Sequence, residues 1–354
     1  MTQQTPAPIA KPRHTTAAPV PVTHNYPNGN PNAAYNPPGA RNTDSVLPLH
    51  PTAPVEHDYT TTGPAPGDIA FRWIYGSICA ATNKDPRIQI LPYNDDTIIL
   101  RENPCIHWEA PFTYLLFGNH GALLINTGAT PEPQYYPLRT TVDALIFRWC
   151  QSRNRPVDPN KTIPLTIIHT SAEHKAQNQA LTQFANRPNT TLAPASTKTI
   201  DLGGRILDIL PTPGTHKDGL TLYDRYTQLL FTGDLLYPGR IQIANDRDYL
   251  ASLTLLKQWS DTHPVKWILG GHIRQMFIPG RCYPRFASFR PFEHVLQLEP
   301  STLEEARAHA AEIQGKPQVV FRADFILLNR VGPDEQGYRT SAEFPPIDVP
   351  YWLP

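Results

Sequence analysis

The sequence predicts a layered domain of the α/β or α+β class that follows a long arm without structure of its own. Three observations support this prediction. Proline accounts for 40 of the 354 residues and is concentrated at the start of the chain. Short apolar runs of strand length then open the globular part. Stretches with helical periodicity enter between the later runs, as in a layered domain.

The first 67 residues carry 14 of the prolines but only six charged residues, and they contain neither Phe nor Trp. Such a composition buries too little apolar surface to offset the entropy of ordering the chain. We therefore expect residues 1–67 to form a disordered, Pro-rich arm that is suited to interactions through extended segments. Residues 68–354 would form one domain, with a C-terminal extension from about residue 280.

The composition also narrows the partners and the compartment. Basic and acidic residues balance at 31 each, so the chain lacks the basic surface typical of nucleic-acid-binding proteins. No apolar run suits a signal peptide or a transmembrane helix, which predicts a cytoplasmic protein without membrane contact. The widely spaced cysteines have no C-x-x-C pair, which favours reduced core thiols over disulfides or a metal framework. They are Cys79, Cys105, Cys150 and Cys282.

The elements are predicted in order from apolar runs and periodicity. Strand-like runs cover 69–79, 87–91, 97–100, 112–117, 122–125, 165–168, 206–210, 220–223, 228–231 and 266–269. The fourth and fifth runs flank Gly118-Asn-His-Gly121, which predicts a hairpin. Helices are expected at about 138–150, 172–185 and 248–260. A last helix would begin at Ser301, where Ser301-Thr-Leu-Glu304 has capping-box spacing.

Four polar clusters each follow a short apolar strand, and strand ends hold side chains firmly at the rim of a sheet. Histidine and carboxylate are ligands of Zn²⁺ and similar divalent ions. Such an ion lowers the pKa of a bound water to about 7. The clusters therefore predict a metal site at the rim. The candidate residues are His169, Glu173, His174, His216, Asp234 and His272.

A structural interpretation of the same residues stays open. His169 could be a satisfied histidine at a strand end, and Asp234 and His272 could be turn residues that follow glycine. Thr170-Ser-Ala-Glu173 fits a capping box that would open the helix at 172 without any metal.

Over about 110 to 275 the sequence resembles the metallo-β-lactamase superfamily, through five landmarks in the same order. Asn126-Thr-Gly128 is similar to that family's Asp-Thr-Gly strand end. His169-Thr-Ser171-Ala-Glu173-His174 is similar to its H-x-H-x-D-H motif. The remaining three are Thr212-Pro-Gly-Thr215-His216, Phe231-Thr-Gly-Asp234 and Gly270-Gly-His272. The resemblance implies an α+β fold, a four-layer αβ/βα sandwich with metal ions at one edge of its two sheets.

The same resemblance implies which residues would hold metal. The family's first site keeps His169, but Ser171 replaces a histidine, and counting back from the strand at 220 places Thr215 where a third histidine is expected. His216 lies one step further and would need a small loop shift. The second site retains His174, Asp234 and His272, with Glu173 replacing an aspartate. Asn126 replaces the aspartate of the strand end, which would weaken the orientation of a ligand histidine.

These changes lead to two functional hypotheses. The first is a metal-dependent hydrolase with one ion, most plausibly zinc, and a metal-bound hydroxide acting on an ester, lactone, thioester or amide. His169, Glu173, His174, His216, Asp234 and His272 are its metal candidates, with Glu173 and Asp234 also catalytic. The second is a catalytically silent member of the fold used for binding or assembly. A small-molecule substrate, no nucleic acid and a possible homodimer complete the expectation.

Overall fold

The structure is a computed structural model that describes residues 53–60, 63–158, 162–174 and 177–331. Most of the predicted arm and the end of the predicted C-terminal extension lie outside these ranges. Within them, no helix combines the length and apolar character needed to cross a bilayer.

The first sheet has six strands in chain order, and its central strands are buried along their whole length because the sheet packs on both faces. β1 to β4 pair antiparallel, and β5 and β6 add to the edge of β4 in parallel. The strands are β1 Ile88–Asn94, β2 Thr97–Glu102, β3 Phe112–Phe117, β4 Ala122–Ile125, β5 Leu165–Ile168 and β6 Thr190–Leu192.

The second sheet has the order β13-β12-β10-β9-β8-β7, and β10 and β12 are its parallel pair. Its strands are β7 Thr199–Asp201, β8 Ile206–Pro211, β9 Leu220–Asp224, β10 Leu229–Gly233, β12 Trp267–Gly270 and β13 Gln297–Leu298. A smaller sheet has the order β11-β15-β14, with β11 Arg240–Ile243, β14 Gln318–Phe321 and β15 Ile326–Asn329.

Three α-helices cover the outer faces of the two large sheets. They are α1 Leu138–Ser152, α2 Asp246–Thr262 and α3 Ser301–Ile313. The side chain of Asn245 caps α2 by accepting bonds from the amides of Arg247 and Asp248, which satisfies donors that the first turn leaves free. Short 3₁₀ helices cover Ala80–Thr82 and Gln179–Phe184.

The strand alternation divides the core into three apolar layers. On β3, Phe112, Tyr114 and Leu116 point between the two large sheets, whereas Leu115 and Phe117 pack against α1, because successive side chains of a strand point to opposite faces. The outer face of the second sheet packs against α2 and α3. This α/β/β/α arrangement is the predicted four-layer α+β sandwich.

A buried ion pair ties the two large sheets together. Arg205 and Asp224 are both fully buried, with Nη2 of the arginine 2.6 Å from Oδ2 of the aspartate. Arg205 also donates to the backbone oxygens of Asp96 and Phe117 in the first sheet. These hydrogen bonds and the ion pair offset the cost of burying the Arg205 guanidinium.

The ordered domain begins before residue 68, where the sequence placed the end of the arm. Tyr59 and Ala65 are buried against Tyr226, and Nε2 of His57 lies 2.9 Å from the Tyr226 hydroxyl. The predicted boundary was therefore too late, because a few apolar and aromatic residues at the end of the Pro-rich stretch find a partner surface.

Several predicted elements are confirmed, including α1, α2, the start of α3 and the hairpin, whose Gly118 amide donates to the Gly121 oxygen at 2.9 Å. The helix predicted at 172–185 is wrong. Its described residues form bends and then the 3₁₀ helix at 179–184. The strand predicted at 69–79 is also wrong, apart from an isolated bridge at Gly76.

The cysteines are all free, as predicted, but they are not all in the core. Cys150 is buried, whereas Cys79 is exposed and Cys105 and Cys282 are partly exposed.

Candidate metal centre

The candidate site lies where the parallel strands of both large sheets end. Asn126 and His169 follow β4 and β5, which are parallel, and Asp234 and His272 follow the parallel pair β10 and β12. A register shift between Phe231 and Gly233 marks the end of β10. Candidate side chains thus reach one rim from the ends of paired strands.

Asp234 is the centre of a group of imidazoles, which we name the Asp234 cluster: Asp234, His174, His216 and His272. Nδ1 of His174 lies 2.9 Å and Nε2 of His216 lies 3.4 Å from Oδ2 of Asp234. Nδ1 of His272 lies 3.3 Å from Oδ1. The histidines therefore divide between the two carboxylate oxygens.

Donor atoms of His174, His216 and Asp234 all lie within 4.8 Å of one another, close enough to hold one metal ion. The rings of His174 and His216 stack with centroids 5.0 Å apart. His272 is buried on the other side of the carboxylate, and its ring packs at 4.1 Å on Tyr237. The cluster therefore has one dry wall and one partly open side.

The charges in the Asp234 cluster are strongly coupled. Burial opposes ionisation of Asp234, but the charge of His174 and the close approach of the three imidazoles hold the pKa of this carboxyl well below its usual range. Burial acts against the charged form of His174 as well, yet Asp234 and Glu109 outweigh it and raise the pKa of His174 to about 9. The carboxylate is therefore the fixed negative charge of the site.

The chemistry of the donors fits a cation. Nδ1 of His174 and Nδ1 of His272 are buried and lie near Asp234, yet neither makes a hydrogen bond, and Oε2 of Glu109 is buried without one as well. Unsatisfied buried nitrogens and carboxylate oxygens are costly unless a further partner is present. A divalent ion with imidazole and carboxylate ligands supplies such a partner.

His169 is close to this rim but is not part of the group of donors within 4.8 Å. It is buried, and its Nε2 lies 3.2 Å from Oγ1 of Thr127. Burial lowers the pKa of His169 to about 4, so the ring is neutral at pH 7. His169, a predicted metal ligand, is therefore a neutral ring that contacts Thr127 in this structure.

The side chain of Ser171 is hydrogen-bonded to Asp218, a residue that was not among the predicted site residues. Ser171 donates to Oδ1 of Asp218 at 2.7 Å, and the amides of Ala172 and Glu173 donate to Oδ2 at 2.7 and 3.3 Å. We name Ser171, Ala172, Glu173 and Asp218 the Asp218 loop. Its hydrogen bonds fix the backbone of Ala172 and Glu173 and occupy the Ser171 hydroxyl.

Glu173, predicted as a ligand and catalytic group, lies apart from the Asp234 cluster in this structure. Its side chain is 45% exposed and its Oε1 lies 2.6 Å from Nζ of Lys217. The capping-box interpretation also fails, because no helix begins at 172. The amides that would open such a helix bond to Asp218 instead.

His216, rather than Thr215, brings its ring to the cluster. The spacing to β9 predicted Thr215 at this position, because a regular connection before the strand would put residue 215 there. The loop turns at Gly214, whose φ of 139° lies outside the range that other residues favour. Gly214 is also held from both sides, since its oxygen accepts from Ala244 and Asn245 and its amide donates to His216.

A chain of hydrogen bonds orients Asp234 from behind. Asn126 accepts the amide of Thr170 at 2.9 Å, and the Thr170 hydroxyl donates to Gln177. Gln177 then donates to Oδ1 of Asp234 at 2.7 Å. Asn126 therefore supports the rim from the end of β4. A Cβ at Gly271 would collide with Nε2 of Gln177 and lie 3.0 Å from Oδ1 of Asp234, so a larger residue there would displace the Gln177 amide from this chain.

Glu109 is a candidate residue that no sequence motif marked. It belongs to the loop between β2 and β3, and its Oε2 lies 3.7 Å from Nε2 of His174. His174 is thus placed between two carboxylates. The only signal for Glu109 in the sequence is its position just before a strand that reaches the same rim.

The family model described as the metallo-beta-lactamase superfamily matches residues 159–272. A curated protein from Gallus gallus, "Acyl-coenzyme A thioesterase MBLAC2", is 36% identical over 93 residues, which are 25% of this chain and 33% of that protein. The chain thus spans about a third of the length of the curated relative it matches.

Solved structures with a similar arrangement share little sequence with this chain. TMB-1 matches with a TM-score of 0.44 and 12% identity over 65% of this chain and 100% of its own. The metallo-beta-lactamase FIM-1 from Pseudomonas aeruginosa, in its mono-zinc form, matches with a TM-score of 0.43 and 12% identity. That match covers 66% of this chain and 99% of FIM-1.

Proposed function

We propose, from the match of residues 159–272 to the metallo-beta-lactamase superfamily model, that the chain is a metal-dependent hydrolase that uses a single ion. The observation that carries the proposal is the convergence of imidazoles from His174, His216 and His272 on the buried carboxylate of Asp234. Two of these rings have nitrogens without a hydrogen bond, which supports a metal role over a structural one.

His174, His216 and Asp234 would hold the ion, with His272 at the second carboxylate oxygen, and zinc suits this donor set best. When bound, such an ion polarises a carbonyl group and lowers the pKa of a coordinated water. A second ion is not part of the proposal, because Ser171 is committed to Asp218 and His169 to Thr127.

The protein's own groups would orient and protect the reacting centre. Gln177 fixes Oδ1 of Asp234, and Glu109 lies against Nε2 of His174, so both ligands are held from behind. The ring of Tyr237 covers His272 and keeps water from that side of the cluster. Hydrolysis would break the bond between the acyl carbon and its leaving group and join the acyl carbon to a water oxygen.

Among the ester, lactone, thioester and amide classes, we propose a thioester, with water added to the acyl carbon and a thiol released. Support comes from the relative named as an acyl-coenzyme A thioesterase, whose similarity is 36% over 93 residues.

The silent-member alternative has one observation in its favour. The Asp218 loop closes the place where the resemblance implies a further histidine ligand, through three hydrogen bonds to one carboxylate. A protein that uses the fold only for binding needs no histidine at that place. The three imidazoles that converge on the Asp234 carboxylate favour the hydrolase instead.

Elemental mass spectrometry of the purified protein, combined with an assay of acyl thioester cleavage, tests the proposal. We expect about one ion per chain and thiol release that stops on chelation and returns with zinc. Absence of metal after zinc reconstitution would establish the silent alternative. Two ions per chain would contradict the single-ion assignment while leaving a hydrolase.

A further inference from the structure

Three arginines near the Asp234 cluster have no carboxylate partner among the described residues. They are Arg240, Arg274 and Arg285. The deeply buried arginines elsewhere in the domain are paired, as Arg101 is with Glu293 and Arg205 with Asp224. Guanidiniums that share one region without an acid repel each other, and a bound anion would offset that repulsion.

The burial of this region makes its positive charge harder to screen. Burial lowers the pKa of Arg240, and Arg274 lowers it further, which indicates that the two charges lie close together. Burial also raises the pKa of the nearby Cys282 thiol to about 12, although both arginines oppose the rise. The thiol is therefore neutral and does not balance the arginines.

An aromatic surface accompanies these charges. The guanidinium of Arg274 lies 5.0 Å and that of Arg285 lies 5.4 Å from the centre of the Trp108 ring. Phe286 packs edge-on against Trp108 with centroids 5.3 Å apart. We name Trp108, Arg240, Arg274, Arg285 and Phe286 the arginine platform.

Phe286 is unusual in two respects. Its side chain is 67% exposed, and its φ of 69° lies in the left-handed region, which a bulky residue adopts at a cost. Neither feature benefits the isolated domain. Both are understandable if the ring contacts a planar group that is bound next to Trp108.

The arginine platform borders the candidate metal centre through two short connections. Trp108 precedes Glu109, whose carboxylate lies 3.7 Å from His174. Arg274 follows His272 by two residues, and its amide donates to the oxygen of Pro238 at 2.8 Å. A ligand on the platform would therefore have its far end near the Asp234 cluster.

We propose that the arginine platform binds a nucleoside phosphate, carried as the leaving-group end of the thioester substrate. Guanidiniums match phosphate oxygens with paired donors, and an exposed aromatic surface beside them suits a planar base. The proposal deepens the proposed function and rests on it for the identity of the substrate. The nucleotide-binding site itself is assigned from the platform alone.

Binding of free coenzyme A, a phosphate-bearing thiol that is not hydrolysed, tests the platform by titration calorimetry. Adenosine 3′,5′-bisphosphate and phosphate-free pantetheine serve as companion probes. We expect coenzyme A and the bisphosphate to bind the wild type, and the double substitution Arg274→Gln and Arg285→Gln to weaken both at least tenfold. Arg148→Gln, an exposed arginine on α1, is the matched control and should bind like the wild type.

Phe286→Gly separates a ligand role from a structural one. Glycine accepts a positive φ without strain, so we expect the melting temperature to stay equal or rise while nucleotide binding falls severalfold. A fall in melting temperature with unchanged binding would overturn the role of this ring. Equal affinity of the double arginine variant and the wild type, or no bisphosphate binding by the wild type, would overturn the platform as a whole.

The two proposals fail separately under these measurements. Arginine-dependent nucleotide binding without thioester cleavage would retain the platform and refute the hydrolase. The opposite result is cleavage of short thioesters together with equal affinity for coenzyme A in the wild type and the double arginine variant. That result would retain the hydrolase and refute the platform. Inorganic phosphate that binds as tightly as the bisphosphate would show a simple anion site, and it would overturn the assignment to a nucleotide.

Discussion

The Asp234 cluster and the Asp218 loop lie on the same rim and use their polar groups in opposite ways. In the cluster, buried nitrogens of His174 and His272 are left without hydrogen bonds. In the loop, one carboxylate accepts three donors from Ser171 and the two following amides. Unsatisfied donors indicate a place for a ligand, whereas satisfied ones indicate a structural role. The contrast supports the proposal of a ligand at the Asp234 cluster and a structural role for the Asp218 loop.

The largest test of this contrast is Asp234→Ala, because Asp234 is the one charge that all three imidazoles share. We expect the bound metal to be lost and thioester cleavage to fall by more than about 100-fold, since even residues behind a metal ligand can cost 10–100-fold. Metal analysis and initial rates measure this. Asp261→Ala, on the exposed end of α2, is the control, and an Asp234→Ala protein with full metal content would contradict the assignment.

A paired comparison of His272→Ala and His169→Ala comes next. The first removes a ring beside the Asp234 carboxylate, and the second removes a ring that contacts Thr127. We expect metal affinity to fall on the order of 10–100-fold for His272→Ala and less than threefold for His169→Ala. A zinc competition assay reports both values. An equal loss of metal affinity in the two variants would contradict the assignment of the ion to the Asp234 side of the rim.

Glu102 gives a pH test of a buried group behind the rim. It accepts the amide of Ala129 at 2.8 Å and the hydroxyl of Thr130, and burial raises the pKa of Glu102 to about 7, although these bonds oppose the rise. A raised pKa in the folded state means that stability is fully present below the unfolded pKa of 4.5 and falls as pH rises through 7. The loss is on the order of 2–3 kcal/mol.

Urea unfolding of the metal-free protein at pH 5 and pH 8 measures this dependence. Glu102→Gln keeps an acceptor and a donor but does not titrate, so its stability should change less between the two pH values. An identical pH dependence in wild type and variant would show that other groups control it.

A smaller effect is expected at the Asp218 loop. Asp218→Asn weakens charge-assisted bonds to Ser171 and Ala172, and we expect the free energy of unfolding to fall by about 1–2 kcal/mol. Metal content should not change. Chemical denaturation and metal analysis of the same sample check both statements, and loss of the ion would show that the loop supports the cluster after all.

The smallest effect is expected for Glu173→Gln. The Glu173 side chain is 45% exposed and pairs with Lys217, and exposed pairs contribute about 0–1 kcal/mol. Metal content and cleavage rate should remain within about twofold of the wild type. A rate loss comparable to that of Asp234→Ala would restore the catalytic role that the sequence suggested for this residue.

The sequence predicted the elements and the rim well where local pattern determines structure. Apolar runs ending in polar residues put Asp234 and His272 at strand ends, and the two strands are a parallel pair that ends at one edge. The helix at 172–185 failed, because hydrogen bonds from distant residues decide that stretch. Asp218 binds the amides at its start, and Asn178 donates to the oxygen of Ala172. Periodicity contains no information on such long-range partners.

Two further site features were beyond local pattern. The entry of His216 depends on a turn at Gly214 whose oxygen is held by residues 30 positions later, so counting along the chain chose Thr215 instead. Glu109 comes from a loop in the first sheet and meets His174 only in the folded domain. Its charge was visible in the sequence, but no spacing rule connected it with the other residues.

The three hydrogen bonds at Asp218 also have an evolutionary consequence. A single Ser171→His replacement would remove one donor from Asp218 and crowd a carboxylate that the two backbone amides still need. A histidine ligand there would require coordinated changes at positions 47 residues apart, each unfavourable without the other. Single mutational steps are therefore poorly suited to adding a ligand on this side of the rim. New binding properties should arise more readily on the neighbouring surfaces, where no hydrogen-bonded carboxylate has to be rebuilt.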